Sequence, residues 1–205
     1  MNKLLLVLVA SLASVGLAIA APVPCTAPPP PGVDVMGLTY TCGGLTFTDF
    51  NVVGAANVQN PLVTLTGATY NADTGEVDLT FNPNLMSEGI QDIYLYFMVQ
   101  GYTNGADLAV GGTNASVSEK ICSEPFVSNV CESGVLASLW GVSDQSRQWA
   151  WYEGTTGIYI FKDISINNGE LSSFTESFHA VPEPLTFVLL GSGLLGLGLL
   201  RRRSA

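Results

Sequence analysis

Residues 90–99 read IQDIYLYFMV, and this stretch decides the fold. Successive strand residues point to opposite faces of a sheet. Ile93, Leu95, Phe97 and Val99 therefore share one face, and Tyr94, Tyr96 and Met98 share the other. Both faces are apolar, the mark of a central strand covered on each side. Strand signals continue in both directions, with almost no helical period. Upstream, residues 62–70 (LVTLTGATY) and 76–81 (EVDLTF) flank the turn cluster Asn71-Ala72-Asp73-Thr74-Gly75 and predict a hairpin. Residues 44–50 (GLTFTDF) place Leu45, Phe47 and Asp49 on one face and Thr46, Thr48 and Phe50 on the other. Downstream, residues 101–114 are rich in Gly and Asn and predict a loop or loosely paired ribbon. Short strands follow at 134–142 and 148–152. Residues 157–166 (GIYIFKDISI) align Ile158, Ile160, Ile164 and Ile166, and Lys162 interrupts that face, which predicts a bulge or a strand end. A last strand at 172–178 carries Phe174 and Phe178 on one side. Eight to ten short strands over residues 32–180 predict an all-β domain, an antiparallel β-sandwich or jelly roll.

The chain has 205 residues, 47% apolar and 12% charged. Soluble domains carry about 25% charged residues. Seventeen acidic residues oppose seven basic ones, for a net charge of −10. The average conceals a division. Residues 21–184 hold all 17 acids but only Lys120, Arg147 and Lys162 among the bases, a net of −14. Nucleic acid is excluded as a partner, because phosphate neutralisation needs clustered Lys and Arg.

Both ends read as addresses flanking the domain. Residues 1–20 combine Lys3 with an apolar run and the small-x-small site Ala18-Ile19-Ala20, predicting a signal peptide cleaved after Ala20. The Sec translocon and signal peptidase are the partners this implies. Residues 21–31 form a proline-rich leader, with Pro28–Pro31 consecutive, that favours extended polyproline II. At the other end, Leu185–Leu200 is sixteen residues without a charge. As a helix it would span ~24 Å, a transmembrane candidate for a ~30 Å hydrocarbon core. Arg201, Arg202 and Arg203 form a basic stop on the cytoplasmic side, which puts residues 21–184 outside the cytoplasm.

Residues 181–205 resemble a known sorting signal. Pro182-Glu183-Pro184, the Gly-rich apolar segment and the terminal arginines, in that order behind a signal peptide, are similar to the PEP-CTERM sorting domain. The resemblance implies an exosortase substrate of a Gram-negative bacterium that makes exopolysaccharide. It implies an inner-membrane intermediate held by residues 185–200, removal of the tail at or near Pro182-Glu183-Pro184, and delivery to the cell surface or extracellular matrix. A second resemblance, carried by GGLTFTDF after Cys42, by Lys162-Asp163-Ile164 and by SSFTESF, is to a group of uncharacterised PEP-CTERM proteins. It implies a domain type and no activity.

Four cysteines in an exported chain favour disulfides. Cys25–Cys42 and Cys122–Cys131 are the preferred pairs because each is local in sequence. Zinc needs closely spaced thiolates or imidazoles, and the chain has no CxxC and one histidine.

No catalytic residue and no cofactor is assigned. The lone His179 reads as a solvated linker residue beside the sorting motif. There is no serine nucleophile elbow and no phosphate-binding glycine loop. Glu76, Asp78 and Asp92 offer carboxylates on strands, but a glycosidase needs a set separation across a cleft that spacing does not supply. Asn71, Asp73, Glu76 and Asp78 crowd one hairpin, yet they miss the calcium-loop spacing and read as a solvated turn. The functional hint lies in the aromatics. Trp149 and Trp151 share a strand face with Arg147, and Trp140 is near in sequence. Exposed indoles make sugar platforms, whereas buried ones fill cores. The core assignment is preferred for these tryptophans. The function expected is an exported structural or adhesive protein of the surface or matrix, associated with exopolysaccharide. The alternative is a carbohydrate-binding or carbohydrate-active protein using the Trp149/Trp151 face.

Overall fold

The computed structural model describes residues 25–28, 31–55 and 57–179. The signal peptide, residues 181–205 with the sorting motif, and the arginine cluster lie outside the described residues. No helix among the described residues is long and apolar enough to cross a membrane.

Eight strands make up the structure: β1 Val33–Asp34, β2 Tyr40–Cys42, β3 Leu45–Gly54, β4 Thr64–Asn71, β5 Glu76–Asn82, β6 Leu85–Cys122, β7 Val135–Val142 and β8 Gln148–His179. All pairings are antiparallel within one sheet of order β1-β4-β5-β8-β6-β3-β2, with β7 on β6. The all-β expectation holds, and so does the β4–β5 hairpin. The strands are not uniformly short, however. β6 has 38 residues and β8 has 32, and they carry the curl of the sheet.

The register of β6 against β8 shows how the curl arises. Residues 90–100 of β6 pair with 157–167 of β8, whose other edge pairs with 115–122 of β6. Residues 105–111 of β6 instead pair with 173–179 of β8, whose other edge pairs with β5. Each long strand thus serves two halves of the sheet. The first half holds β2, β3, β7 and the 157–167 part of β8; the second holds β1, β4, β5 and the 173–179 part. The register shifts as β6 passes between them, at Gln100/Thr103 and around Gly111–Ala115. At Gly112, φ is +121° and a Cβ would lie 2.1 Å from the Glu170 carbonyl oxygen, so the corner demands glycine. The loop expected at 101–114 is therefore a bent strand. Its glycines bring two backbones close and let the strand change halves.

The halves face each other across an aromatic core. Phe47 lies 5.6 Å from Phe178, Phe50 lies 5.1 Å from Phe97, and Phe81 lies 5.1 Å from Phe174. Phe50 was expected on the face opposite Phe47. A bulge between Thr48 and Asn51, with Asp49 at φ 57°, shifts the alternation by one and turns Phe50 inward. As expected, β6 is covered on both sides at residues 93–99. Ile93, Leu95, Phe97 and Val99 are buried in the core. On the outer side, Tyr96 and Phe161 pack at 5.1 Å, and Phe126 closes over Phe161 at 5.6 Å. Phe126 belongs to the loop closed by Cys122–Cys131. The other disulfide is Cys25–Cys42, so both expected pairs form. Each contributes about 3 kcal/mol by constraining the unfolded chain. Both bonds place the domain in an oxidising, extracytoplasmic setting.

Lys162 makes neither a bulge nor a strand end. It sits in regular register between Leu95 and Glu119, fully buried, and its ammonium meets Glu119 at 2.8 Å and Glu176 at 2.5 Å. Glu176 comes from the second half, where it is flanked by Leu79 and Leu108. The polar interruption of the isoleucine face is thus an ion cluster that bridges the halves.

Phe178 contacts Phe47 of β3 and Phe97 of β6. Replacing Phe178 with Ala is expected to lower the unfolding free energy by about 3–5 kcal/mol, read as a shifted midpoint in denaturant titration.

Candidate functional site

The outer face of the second half is polar, and register alone assembles it. One row across the strands runs Asn71, Glu76, His179, Gly105 and Trp151. The next row on the same face runs Thr69, Asp78, Ser177, Asp107 and Trp149. The turn from β7 into β8 is held by Ser143, whose N–H bonds to the Ala115 carbonyl, and it brings Arg147 to these rows.

Arg147 is the cation of the cluster. Its Nη1 stands 3.1 Å from Asp107 Oδ1, 3.4 Å from Glu76 Oε1 and 3.7 Å from Asp78 Oδ1. It also donates to Ser177 Oγ at 3.2 Å. Ser177 Oγ in turn donates to Asp78, which accepts from Thr69 Oγ1 at 3.1 Å. Asp107 is wholly buried, and a buried carboxylate needs partners to offset its desolvation. It has two: Arg147 at one oxygen and His179 Nε2, 3.1 Å away, at the other.

His179 is therefore no solvated linker. It is 7% exposed, closes the last ladder of β8 between Glu76 and Gly105, and lies under two indoles. The Trp149 ring stacks on it at 5.3 Å, and the Trp151 ring tilts over it at 4.9 Å. Gly105 makes this possible. A Cβ there would come within 2.6 Å of Trp151 Cε3, so the absent side chain is the slot across which the indole reaches His179.

The tryptophans are not core fillers, which corrects the preferred expectation. Trp149 is 53% exposed, Trp151 63% and Trp140 66%. The aromatic core is built from phenylalanines, and the indoles stand outside it. The structure brings Trp149, Trp151 and Arg147 together with Glu76, Asp78, Asp107 and His179, and leaves Trp140 apart on β7. Asp107 had no signal in the sequence, since it lay in a stretch resembling a loop. His179 had one unread clue: Ser177 and His179 continue the alternation that sets Phe174 and Phe178 inward.

Glu76, Asp107 and His179 bring ligand-type atoms within 4.8 Å of one another. Arg147 already lies against two of these groups, so a divalent ion there would meet a fixed positive charge. In the β4–β5 turn, Asn71 Oδ1 accepts from the N–H groups of Asp73 and Thr74, and Asp78 is engaged as above. These groups serve the turn and the charge network. His179 and Asp107 pair as a base and its orienter would. The hydroxyls in the cluster are engaged, Ser177 with Asp78 and Arg147 and Thr69 with Asp78. What the arrangement offers is a surface: two indole faces beside a fixed rim of donors and acceptors.

No family model matches the chain, and no curated protein matches it. A solved structure, TmCBM61 in complex with beta-1,4-galactotriose, is similar over 64% of this chain and 84% of that one, at 11% identity and a TM-score of 0.31. A likeness of that degree carries no argument about fold or ligand.

All three tryptophans are exposed, so acrylamide should quench the whole of the native emission with one linear dependence on quencher concentration. A protected fraction would contradict the placement of the indoles outside the core.

Proposed function

We propose that this chain is an exported surface or matrix protein that holds exopolysaccharide through its Trp149/Trp151 face. In this reading the scaffold is a β-sandwich, and the second half displays the binding face. The observation that carries the proposal is the exposure of two indoles at alternate positions of one strand, fixed over His179 and edged by Arg147, Glu76 and Asp78. Indole faces stack on the apolar faces of sugar rings, and charged groups at the edge bind hydroxyls. Leaving two large apolar side chains in water is informative when they adjoin a built polar network.

The role is adhesive, and the cluster needs no chemistry of its own for it. The PEP-CTERM resemblance supports the route: translocation by Sec, signal peptidase cleavage, an inner-membrane intermediate held by residues 185–200, and processing by exosortase at Pro182-Glu183-Pro184. The disulfides agree with such a destination. The face also selects among glycans. One guanidinium against three carboxylates, within a region of net charge −14, repels uronate-rich polymers and favours neutral ones.

Affinity electrophoresis through gels containing neutral or uronate-rich polysaccharides tests the binding. Retardation is expected in neutral gels, and Trp149→Ala or Trp151→Ala should each weaken it at least tenfold, about 1.4 kcal/mol. Unretarded migration through every gel would refute the glycan role. Changing Pro182-Glu183-Pro184 to alanines in a tagged chain tests the route. The tail should then be retained with the protein in the membrane fraction, and an unchanged size and location would refute exosortase processing.

A further inference from the structure

The fully buried cluster of Lys162, Glu119 and Glu176 plays no part in the outer face, and its composition is costly. Burying an ammonium with two carboxyl groups is compensated only when every oxygen finds a partner. Here Oε1 of Glu119 and Oε1 of Glu176 have none. The surroundings are dry. Leu79, Leu95 and Leu108 are buried beside the cluster, and the Phe174 ring centre lies 5.5 Å from Lys162 Nζ. Nζ touches an oxygen of each carboxyl, at 2.8 Å and 2.5 Å. These are a nucleophile, a proton acceptor and an electrophile held at reacting distance with water excluded.

We propose that Lys162 and Glu176 join in an intramolecular isopeptide bond, with Glu119 as the catalytic base, stapling the two halves of the sheet. Burial, and the neighbouring Glu119, push the Glu176 carboxyl well above the usual carboxylate range, which favours its protonated form. A neutral carboxyl is the electrophile the step requires. Glu119 takes one proton from the Lys162 ammonium. The freed amine attacks Cδ of Glu176, forming the C–N bond. The tetrahedral centre collapses with loss of the Glu176 hydroxyl, which leaves as water with a second proton from nitrogen. The amide nitrogen keeps the third proton, and Glu119 ends as a neutral carboxyl beside the new amide. Charge is zero before and after, and no oxidant or other reactant enters. Amide formation is unfavourable between free groups in water. Held groups gain an effective molarity that reaches about 10⁵–10⁸ M, and a dry core does not retain the water released. The product replaces three buried ionisable groups with one amide and one neutral acid.

Mass spectrometry of the exported, folded, full-length chain tests this. Trypsin should fail to cut after Lys162, and the peptide running through that residue should be lighter by one water, with fragmentation placing the link at Glu176. Lys162→Met, which keeps the length and apolar stem, should restore the full mass. Glu119→Gln, which removes the base, should leave most of the protein unlinked. Full-mass peptides ending at Lys162 in the wild-type protein would overturn the proposal, as would a water loss that persists in Lys162→Met. If the Met variant fails to fold, the wild-type spectrum still decides.

Discussion

The contact of Lys162 with Glu119 and Glu176 is the constraint on which the rest of the structure depends. Lys162 and Glu119 face each other across neighbouring strands of one half, and Glu176 reaches them from the other. Apolar packing is tolerant of small slips, because one leucine substitutes for another at modest cost. A buried charge has no such tolerance. Moving β8 by one residue would turn Lys162 and Glu176 out of the core together and strand the Glu119 carboxylate inside it. The cluster therefore fixes the register of β6 on β8 and sets the halves opposite each other at one point. The phenylalanines that fill the remaining space then have a single way to interlock.

Given that arrangement, the two outer faces meet different fates. Over the first half, the Cys122–Cys131 loop folds back and Phe126 covers Tyr96 and Phe161. The outer face of the second half keeps its indoles at the surface, over rows in which Asp107, Ser177 and His179 are buried. The same strands supply both faces, so the polar character of the second is written in single positions. Asp107, Ser177 and His179 alternate with Ala106, Leu108 and Phe178, which are buried in the core. Gly105 supplies the one missing side chain in the rows, and Trp151 lies where it would have been.

How much of this was legible in the sequence follows from how local each signal is. The Ile90–Val99 alternation, the 64–82 hairpin and the two disulfides depend on neighbours in sequence, and they read correctly. Residues 101–114 did not, because glycines that permit a loop also permit two backbones to touch at a corner, and composition does not separate the two. The Asp49 bulge inverted the reading of Phe50, since alternation carries no mark of an inserted residue. Lys162 was recognised as anomalous but not as paired, because its partners lie 43 and 14 residues away. The tryptophans were assigned inward by size. Their exposure follows from the phenylalanines having filled the core and from β8 running along its outer edge at residues 148–151, which no local pattern records.

The place where β8 ends has a mechanical meaning. His179, the last described residue of β8, lies in a strand flanked on one side by β5 and on the other by β6. A pull on the chain beyond it runs along a central strand, so the flanking hydrogen bonds are loaded in shear and must yield together. An edge strand would instead peel away one bond at a time. Lys162 lies farther along the same strand, tied into both halves, so tension entering at His179 meets the buried cluster before it reaches the part of β8 paired with Tyr96 and Phe97 of β6. Resistance to such force is set by the unfolding barrier, not by equilibrium stability. Tension applied at this end of the domain therefore loads it along its strongest direction.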